Sequence, residues 1–398
     1  MSSSCDLSSI IRMKEVQVKT LHDPRFRGIP KVYRSPKISS HVRLASGAKS
    51  RILNAEKTFQ MEKEREENSS NVVGVSSPYE FFRQRSFDKE VDLNGWIIDP
   101  KAACEIGSQL VPGCSTIVRL FLANSHLGDE GGKAVAKGLE DNFSVRELDL
   151  SGNMLGQNAI SSIGEMLNKN QTLDKLNLSR NNLTDPDVES LLVSLCRKTV
   201  LKELDLSRNI LCDQFAKQMS LVLEKNFVLE KLFVNSNQLE VTGLQALLPG
   251  LRKTKTLSAL NISWNYLRDQ GAEILGEVIG GNRSLVEISA CGNLFTPQAA
   301  SFIAKGVANN SKLKVLRIGQ NLIRNTGAFE FLNVFVAEGG LSESGMPTAV
   351  LEILDINGTI VDEKFKELID KELSERFPSV TVVNFSLVER VTADSKSL

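Results

Sequence analysis

Apolar and polar residues recur in one pattern along the middle of the chain. The segments that begin at Leu173, Leu201 and Leu257 read LDKLNLSRNNL, LKELDLSRNIL and LSALNISWNYL, and they share the template L-x-x-L-x-L-x-x-N-x-L. The template asparagines are Asn153, Asn181, Asn209, Asn237, Asn265, Asn293 and Asn321. Each follows the previous one after 28 residues, which indicates an internal repeat with one structural unit per step.

The two leucines of the L-x-L core have strand periodicity, so their side chains point to one side of the chain. The asparagine can bond backbone groups of the adjoining turns, which have no partner in the sheet. About seventeen residues then lead to the next strand, enough for a helix of about three turns. Since one unit cannot bury its apolar side alone, neighbouring units must stack. The predicted fold is an α/β solenoid, a horseshoe with parallel strands on its concave face and helices on its convex face.

The repeats divide the chain into four predicted parts. Residues 1–77 form a basic arm, largely extended or disordered, with a short helix near 49–68, and residues 78–116 form an N-terminal cap with a degenerate repeat. Residues 117–361 form nine repeats with an insertion near 338–349. Residues 362–398 form a capping helix, a strand and a tail. Trp96 stands in the degenerate repeat where the template has asparagine. The end units of a solenoid must hide the core from water, which explains why they depart from the template.

Polar residues also mark the ends of the predicted return helices. An Asp at the start is a favoured N-cap residue and is predicted to cap its own helix. These residues are Asp129, Asp185, Asp213 and Asp269. An Asn at the end is predicted to adopt the left-handed conformation that closes many helices. These residues are Asn142, Asn170, Asn226, Asn282 and Asn310.

The charge of the chain is unevenly distributed although its net value is zero. Residues 1–60 contain twelve Lys and Arg against four Asp and Glu, so this stretch carries +8 and the remainder carries −8. Its segment KVYRSPKISSHVRL spaces apolar residues among cations, as expected for a segment lying along an acidic surface; a solvated tail is the alternative. The candidate partner contacts in the arm are Arg25, Arg27, Lys31, Tyr33, Arg34, Lys37 and Arg43.

The motif content predicts a non-enzymatic protein without a cofactor or metal. The sequence has no phosphate-binding loop, zinc-protease, EF-hand or nucleophile-elbow motif. The cysteines are Cys5, Cys104, Cys114, Cys196, Cys212 and Cys291. They lack metal-binding spacing, and most are predicted to be small buried residues. No apolar run has transmembrane length and the start lacks a signal-peptide core, so we expect a reduced, soluble, intracellular chain without membrane contact.

The concave face is the expected place for a protein partner. At the third template position, opposite charges alternate on neighbouring strands and should pair with one another. The residues are Arg119, Glu147, Lys175, Glu203 and Lys231. Exposed aromatic and arginine side chains dominate many interfaces. The candidates on this face are Phe121, Arg180, Arg208, Phe233, Trp264 and Arg317. Variation between repeats without a functional purpose is the alternative reading of these residues.

Uniform 28-residue units with helical returns resemble the ribonuclease-inhibitor-like class of leucine-rich repeat proteins over residues 90–385. The scattered cysteines differ from the ribonuclease inhibitor itself, and the Ran GTPase-activating protein carries an acidic tail that does not follow Phe385 here. The opening segment EFFRQRSFDKEVDLNGWIIDPKA, the eight regular repeats and the final unit LEILDINGTIVDEKF are similar to the leucine-rich repeat-containing protein 74 group. That resemblance implies a non-enzymatic ciliary or axonemal scaffold, although the basic arm departs from the group.

Two functional hypotheses follow. In the first, the chain is a cytoplasmic scaffold of the cilium or flagellum that binds axonemal proteins, and its arm docks on the acidic surface of tubulin in microtubules. In the alternative, the concave face regulates a small GTPase or actin, with Arg180 and Arg208 as contacts. Nucleic-acid binding by the arm is not favoured, because aromatic residues there are sparse (Phe26 and Tyr33).

Overall fold

The computed structural model describes residues 77–197, 199–336, 350–373, 381–383 and 386–387. The basic arm, the helix predicted near 49–68, the insertion near 338–349 and the end of the C-terminal tail lie outside the described residues. The predictions for those segments therefore stay predictions.

Eleven strands of the described chain form one parallel sheet, in the order β1 to β10 followed by β12. The strands are β1 Glu90–Asp92, β2 Arg119–Phe121, β3 Glu147–Asp149, β4 Lys175–Asn177, β5 Glu203–Asp205, β6 Lys231–Phe233, β7 Ala259–Asn261, β8 Glu287–Ser289, β9 Val315–Arg317, β10 Ile353–Asp355 and β12 Thr381–Val383. Neighbouring strands pair with the same template positions opposite each other, for example Leu148 with Leu176 and Leu176 with Leu204. A small second sheet pairs β11 Ile360–Val361 with β13 Ser386–Leu387.

Helices connect the successive strands and pack against one another in chain order. They are α1 Pro78–Gln84, α2 Pro100–Gln109, α3 Gly128–Leu139, α4 Gln157–Lys169, α5 Asp185–Leu195, α6 Asp213–Lys225, α7 Val241–Lys253, α8 Arg268–Gly281, α9 Pro297–Ala308, α10 Arg324–Val336 and α11 Glu363–Leu368, which continues into a π-helical turn Ile369–Leu373. One sheet and one layer of helices thus enclose the core, and the predicted α/β leucine-rich repeat solenoid is confirmed.

The template leucines form the core between the two layers. In the repeat that begins at Leu173, the side chains of Leu173, Leu176, Leu178 and Leu183 are at most 1 % exposed. Equivalent residues of the other repeats join them in one continuous cluster. Burial of a leucine side chain contributes about 1.5–3 kcal/mol, so the periodic leucines supply the main driving force for stacking.

The template asparagines join each repeat to the preceding one. The Asn181 Oδ1 accepts hydrogen bonds from the backbone N–H groups of Asn153 at 2.8 Å and Leu155 at 3.2 Å. Its Nδ2 donates to the carbonyl groups of Leu150 and Leu178, both at 3.0 Å. One buried side chain thus satisfies the turn groups of two repeats, which explains why the template requires an amide at this position.

The aspartates at the helix starts do not cap their own helices, so that prediction is wrong. The Asp129 carboxylate accepts hydrogen bonds from the backbone N–H groups of Gly156 at 2.6 Å and Ala159 at 3.2 Å, at the start of the next helix, α4. Helix α3 has its N-cap at Leu127, which leaves Asp129 inside the first turn and facing the following repeat. Asp185, Asp213 and Asp269 bond the start of the following helix in the same way.

The asparagines at the helix ends are also not left-handed, contrary to the prediction. Asn170 has φ −64° and ψ 135°, and its Oδ1 accepts from the backbone N–H groups of Thr172 at 2.9 Å and Leu173 at 2.8 Å. Its Nδ2 donates to the Leu139 carbonyl of the preceding helix at 2.7 Å. Asn142, Asn226, Asn282 and Asn310 make the same bonds. Their side chains can bond two repeats only because the backbone is extended there.

The described ends of the solenoid are closed by aromatic side chains. Ser77 caps α1 by accepting from the Glu80 N–H at 3.2 Å. The Phe81 and Trp96 rings lie 5.1 Å apart over the first repeat, so the residue that replaces asparagine packs against the cap. At the other end, Phe365 of α11 is fully buried and stands edge-on to Phe329 at 5.4 Å.

Candidate protein-binding surface

Two of the predicted charge pairs on the outward face of the sheet form, and Arg119 pairs with Glu90 of β1, which the prediction did not include. Glu90 and Arg119 approach to 2.6 Å, Glu147 and Lys175 to 3.8 Å, and Glu203 and Lys231 to 3.2 Å. Such exposed pairs contribute a few tenths of a kcal/mol each and are screened by salt. From β7 onward the third template position holds mostly Ala259, Val315 and Ile353, so this charge ladder ends at β6.

The fifth template position carries the two candidate phenylalanines, but they do not meet. Phe121 of β2 and Phe233 of β6 are both half-buried and are separated by three strands, which places them roughly 19 Å apart. Asp149, Asn177 and Asp205 stand between them and line a shallow depression. Each of these three side chains accepts the backbone N–H two residues further on, which ends its strand.

The charged form of the Asp205 carboxyl group is disfavoured in this depression. Burial raises its pKa, and the negative charges of Asp149 and Glu203 raise it further, while hydrogen bonds from Ser207 act in the opposite direction. Asn177, on the neighbouring strand, performs the same strand-ending bond without a charge. The depression is therefore an acidic part of the sheet face, and the charged form of Asp205 is disfavoured there.

The other candidates lie at two different places. Arg317 of β9 forms an ion pair with Glu287 on the neighbouring strand. Arg180, Arg208 and Trp264 occupy the eighth template position, and they lie in the turn beyond the strand rather than on the strand as predicted. Their φ angles are 58°, 57° and 58°, respectively, because this residue turns the chain toward the helix. The predicted residues thus form two separate rows, with the guanidinium groups of Arg180 and Arg208 on adjacent repeats.

Trp264 is held against the neighbouring repeat. Its backbone N–H donates to the Cys291 carbonyl at 2.6 Å, and its indole ring lies flat on Gly292. A Cβ atom at residue 292 would come within 2.6 Å of the Trp264 ring atoms Cδ2 and Cε3. The absent side chain at Gly292 therefore makes room for the indole, which is still 44 % exposed.

A row of exposed apolar side chains at the tenth template position was not predicted from the sequence. We call Tyr266, Leu294, Leu322 and Ile360 the apolar row; they are 51, 46, 56 and 58 % exposed and belong to four consecutive repeats. In the earlier repeats the same position alternates between apolar and polar residues, namely Ile97, His126, Met154, Asn182, Ile210 and Gln238. The signal was present in the sequence, because the tenth residue of a template with buried ninth and eleventh residues should be polar. Trp264, which is 44 % exposed, lies two residues before the first member of this apolar row.

The cysteines of the described chain do not form a reactive site. Cys104 is exposed and the other four described cysteines are half-buried, so the prediction that most are buried is wrong. Burial raises the pKa of the Cys196, Cys212 and Cys291 thiols, which disfavours the nucleophilic thiolate. Within the described residues, no group of three or more His, Cys, Asp or Glu is placed to hold a metal ion. Every helix found there is also too short or too polar to cross a bilayer.

The fold defines the described chain as a leucine-rich repeat solenoid. A model of the Leucine Rich repeat family matches it at residues 113–136 and 169–192, which include the first and third regular repeats. No curated protein sequence matches the chain.

Two solved structures are distantly similar to the chain. The Rad7 and Elc1 complex from yeast aligns over 86 % of this chain and 98 % of its own, with 16 % identity and a TM-score of 0.40. Leiomodin-1 Actin-Binding Site 2 aligns over 44 % of this chain and 86 % of its own, with 18 % identity and a TM-score of 0.31. At this level of similarity, neither protein's partner can be transferred to this chain.

Proposed function

We propose that the protein is a non-enzymatic scaffold that binds another protein along the apolar row. The observation that carries this proposal is the run of half-exposed apolar side chains on four consecutive repeats, with Trp264 beside it. Contiguous exposed apolar surface on a folded protein commonly marks an interaction site. Solenoids present such extended surfaces to partners because each repeat adds one contact in line with the last.

The position of Trp264 supports a binding role for this part of the surface. A left-handed backbone costs a residue with a Cβ about 1–2 kcal/mol, and glycine occupies the eighth template position at Gly152, Gly292 and Gly358. Trp264 bears this cost, as Arg180 and Arg208 do, and tryptophan is a frequent anchor of protein interfaces. The candidates Phe121, Phe233 and Arg317 on the sheet face, and Arg180 and Arg208 in the turns of earlier repeats, are proposed as further contacts.

The test compares two substitutions at the same template position. Leu294→Asp places a charge in the apolar row, and Met154→Asp places one on an isolated apolar residue; both parent residues are left-handed, with φ 65° and 55°. Proximity labelling from the intact protein in a ciliated cell should identify partners that Leu294→Asp reduces at least about tenfold and Met154→Asp leaves unchanged. Equal labelling by the parent and Leu294→Asp, or equal loss in both variants, would remove the apolar row from the function.

The finer proposal concerns the place of the scaffold in the cell. The similarity to the leucine-rich repeat-containing protein 74 group and the +8 charge of residues 1–60 support docking on the acidic tubulin surface of an axonemal microtubule. Deletion of residues 1–60 should then abolish co-sedimentation with microtubules at low salt, whereas Leu294→Asp should leave it intact. Microtubule binding that survives the deletion would remove the arm from this role.

A further inference from the structure

Two exposed arginines lie beside the apolar row, and their charge indicates what kind of partner the row can bind. Arg268 and Arg324 occupy the twelfth template position of the sixth and eighth repeats, beside Tyr266 and Leu322. Both arginines are exposed, and neither guanidinium forms an ion pair with the described part of the chain. Glu240 takes the same position one repeat earlier, so the cationic stretch begins where the apolar row begins.

Two carboxylates of the apolar row's own repeats are already used by hydrogen bonds to helix starts. Asp269 accepts from the Thr296 backbone N–H at 2.8 Å and from the Thr296 hydroxyl at 2.5 Å. Asp362 accepts from the Phe365 N–H and from the Asn325 amide, both at 2.9 Å. Because these acids bond the helix starts, Arg268 and Arg324 are left to offer positive charge to a partner along the row, while the exposed Glu240 lies one repeat before Arg268.

The spacing of the row follows from backbone hydrogen bonds at this edge. The Tyr266 N–H donates to the Leu239 carbonyl at 2.9 Å, and the Leu322 N–H donates to the Phe295 carbonyl at 2.7 Å. Each bond joins the tenth position of one repeat to the eleventh position of the preceding repeat. Successive repeats are stacked about 4.8 Å apart, the distance between hydrogen-bonded neighbouring strands, and Leu294, which is left-handed at φ 65°, belongs to the repeat between Tyr266 and Leu322.

This spacing fits a helix better than an extended segment. Side chains at i, i+4 and i+7 of an α-helix advance by about 6 and 10.5 Å along its axis, close to the roughly 5 and 10 Å between Tyr266, Leu294 and Leu322. Side chains at i, i+2 and i+4 of a strand advance by about 6.7 and 13.4 Å, so the third contact would miss Leu322 by about 4 Å. Arg268 and Arg324 are two repeats apart, roughly 10 Å, which matches acidic residues at i and i+7 of the same helix.

We propose that the apolar row binds an acidic amphipathic α-helix of a partner protein. The apolar stripe of that helix lies along Tyr266, Leu294 and Leu322, and its flanking carboxylates pair with Arg268 and Arg324. The inference rests on the scaffold function proposed above and adds the shape and charge of the ligand.

A peptide selection tests the proposal on the full chain. The probe is a phage-displayed library of random peptides of about sixteen residues, long enough for about four helical turns. Enriched peptides should carry apolar residues at i, i+4 and i+7 together with Asp or Glu. Leu294→Asp should weaken them at least about tenfold, and Met154→Asp should not. The double variant Arg268→Glu/Arg324→Glu should weaken the same peptides and enrich peptides with Lys or Arg in place of the acids.

Several outcomes would overturn the inference. These are no enriched peptide, enriched peptides that are basic or alternate at i and i+2, and peptides that bind the parent and Leu294→Asp equally. A dimer of the chain in sedimentation equilibrium that Leu322→Asp dissociates would assign the row to a second copy instead. If the selection fails while proximity labelling still depends on Leu294, the scaffold function stands and only the acidic helix is lost; failure of both removes both.

Discussion

The repeats of strands β1 to β6 and those of strands β7 to β10 share the same buried template residues but expose different side chains. Strands β1 to β6 present charges that pair across neighbouring strands, such as Glu203 with Lys231 at 3.2 Å. From β7 onward the third position is mostly apolar and the tenth position forms the apolar row. The leucine-type positions of the template thus stay buried and apolar in both regions, whereas the exposed positions differ between them.

Substitution of a template asparagine should have the largest effect on stability. It tests whether the buried hydrogen bonds between repeats are equally strong in both regions. Asn181→Ala and Asn321→Ala each remove an Oδ1 that accepts two backbone N–H groups and an Nδ2 that donates to carbonyl groups. Buried groups left without partners cost about 1–3 kcal/mol, so each variant should lose on the order of 3 kcal/mol of unfolding free energy in urea. A difference larger than about 1 kcal/mol between the variants would show that these hydrogen bonds are not equally strong in the two regions.

Thr359→Val is the control for this pair. Thr359 occupies the asparagine position of the last repeat, and its buried hydroxyl has no hydrogen-bond partner among the described residues. Since the substitution removes an unsatisfied polar group at nearly constant volume, it should leave stability unchanged or raise it slightly. A loss as large as that of the asparagine variants would contradict the assigned bonds.

Replacement of a glycine at the eighth template position should have a smaller effect on stability, and the size of that effect should differ between the two regions. Gly152 and Gly292 are both left-handed, with φ 68° and 65°, but Gly292 lies under the Trp264 ring and Gly152 faces the flexible Asn124 amide. Gly152→Ala should cost about 1 kcal/mol from backbone strain, and Gly292→Ala about 2 kcal/mol because the indole must also move. In a Trp96→Phe background, only Gly292→Ala should change the tryptophan emission spectrum. Identical spectra for both variants would show that the indole does not lie on residue 292.

The smallest effect concerns the acidic depression of the first region. Because the folded pKa of Asp205 is raised, the folded state holds its proton at a higher pH than the unfolded state does, and stability falls as pH rises through that folded value. Asp205→Asn keeps an acceptor for the Ser207 N–H, as Asn177 does for Ser179, and should stabilise the protein at neutral pH. The unfolding free energy at pH 7 minus that at pH 4 should be more positive in this variant than in the parent, because the variant lacks the Asp205 contribution that falls over this range. Asn177→Asp should have the opposite effect, and equal pH dependence in all three proteins would refute the assignment.

The fold was predictable because its main determinants are local and repeated. Leu176 and Leu178 alternate as in a strand, and the Asn181 amide follows where the strand ends. The direction of the helix-start bonds was not predictable from one repeat, because Asp129 acts on Gly156, 27 residues later. A local reading assigns such a residue to the nearest helix, whereas the stacked geometry brings the following helix closer.

The candidate surface was predictable only in part. Trp264 was identified from its residue type, but the left-handed turn that presents it is not visible in the template. Tyr266, Leu294 and Leu322 were overlooked because each is unremarkable alone and gains meaning only when the tenth positions of successive repeats are placed side by side. Arg268 and Arg324 escaped notice for the same reason, since the pairing of charges depends on neighbours 28 or 29 residues away.

The side-chain bonds between repeats also bear on how the array comes apart. Asn181 serves groups of the repeat before it, whereas Asp129 serves the helix of the repeat after it. Unfolding of an interior repeat would therefore leave polar groups of both neighbouring repeats without hydrogen-bond partners. Both neighbours would be destabilised together. The solenoid should melt in cooperative blocks of several units rather than shed them one by one.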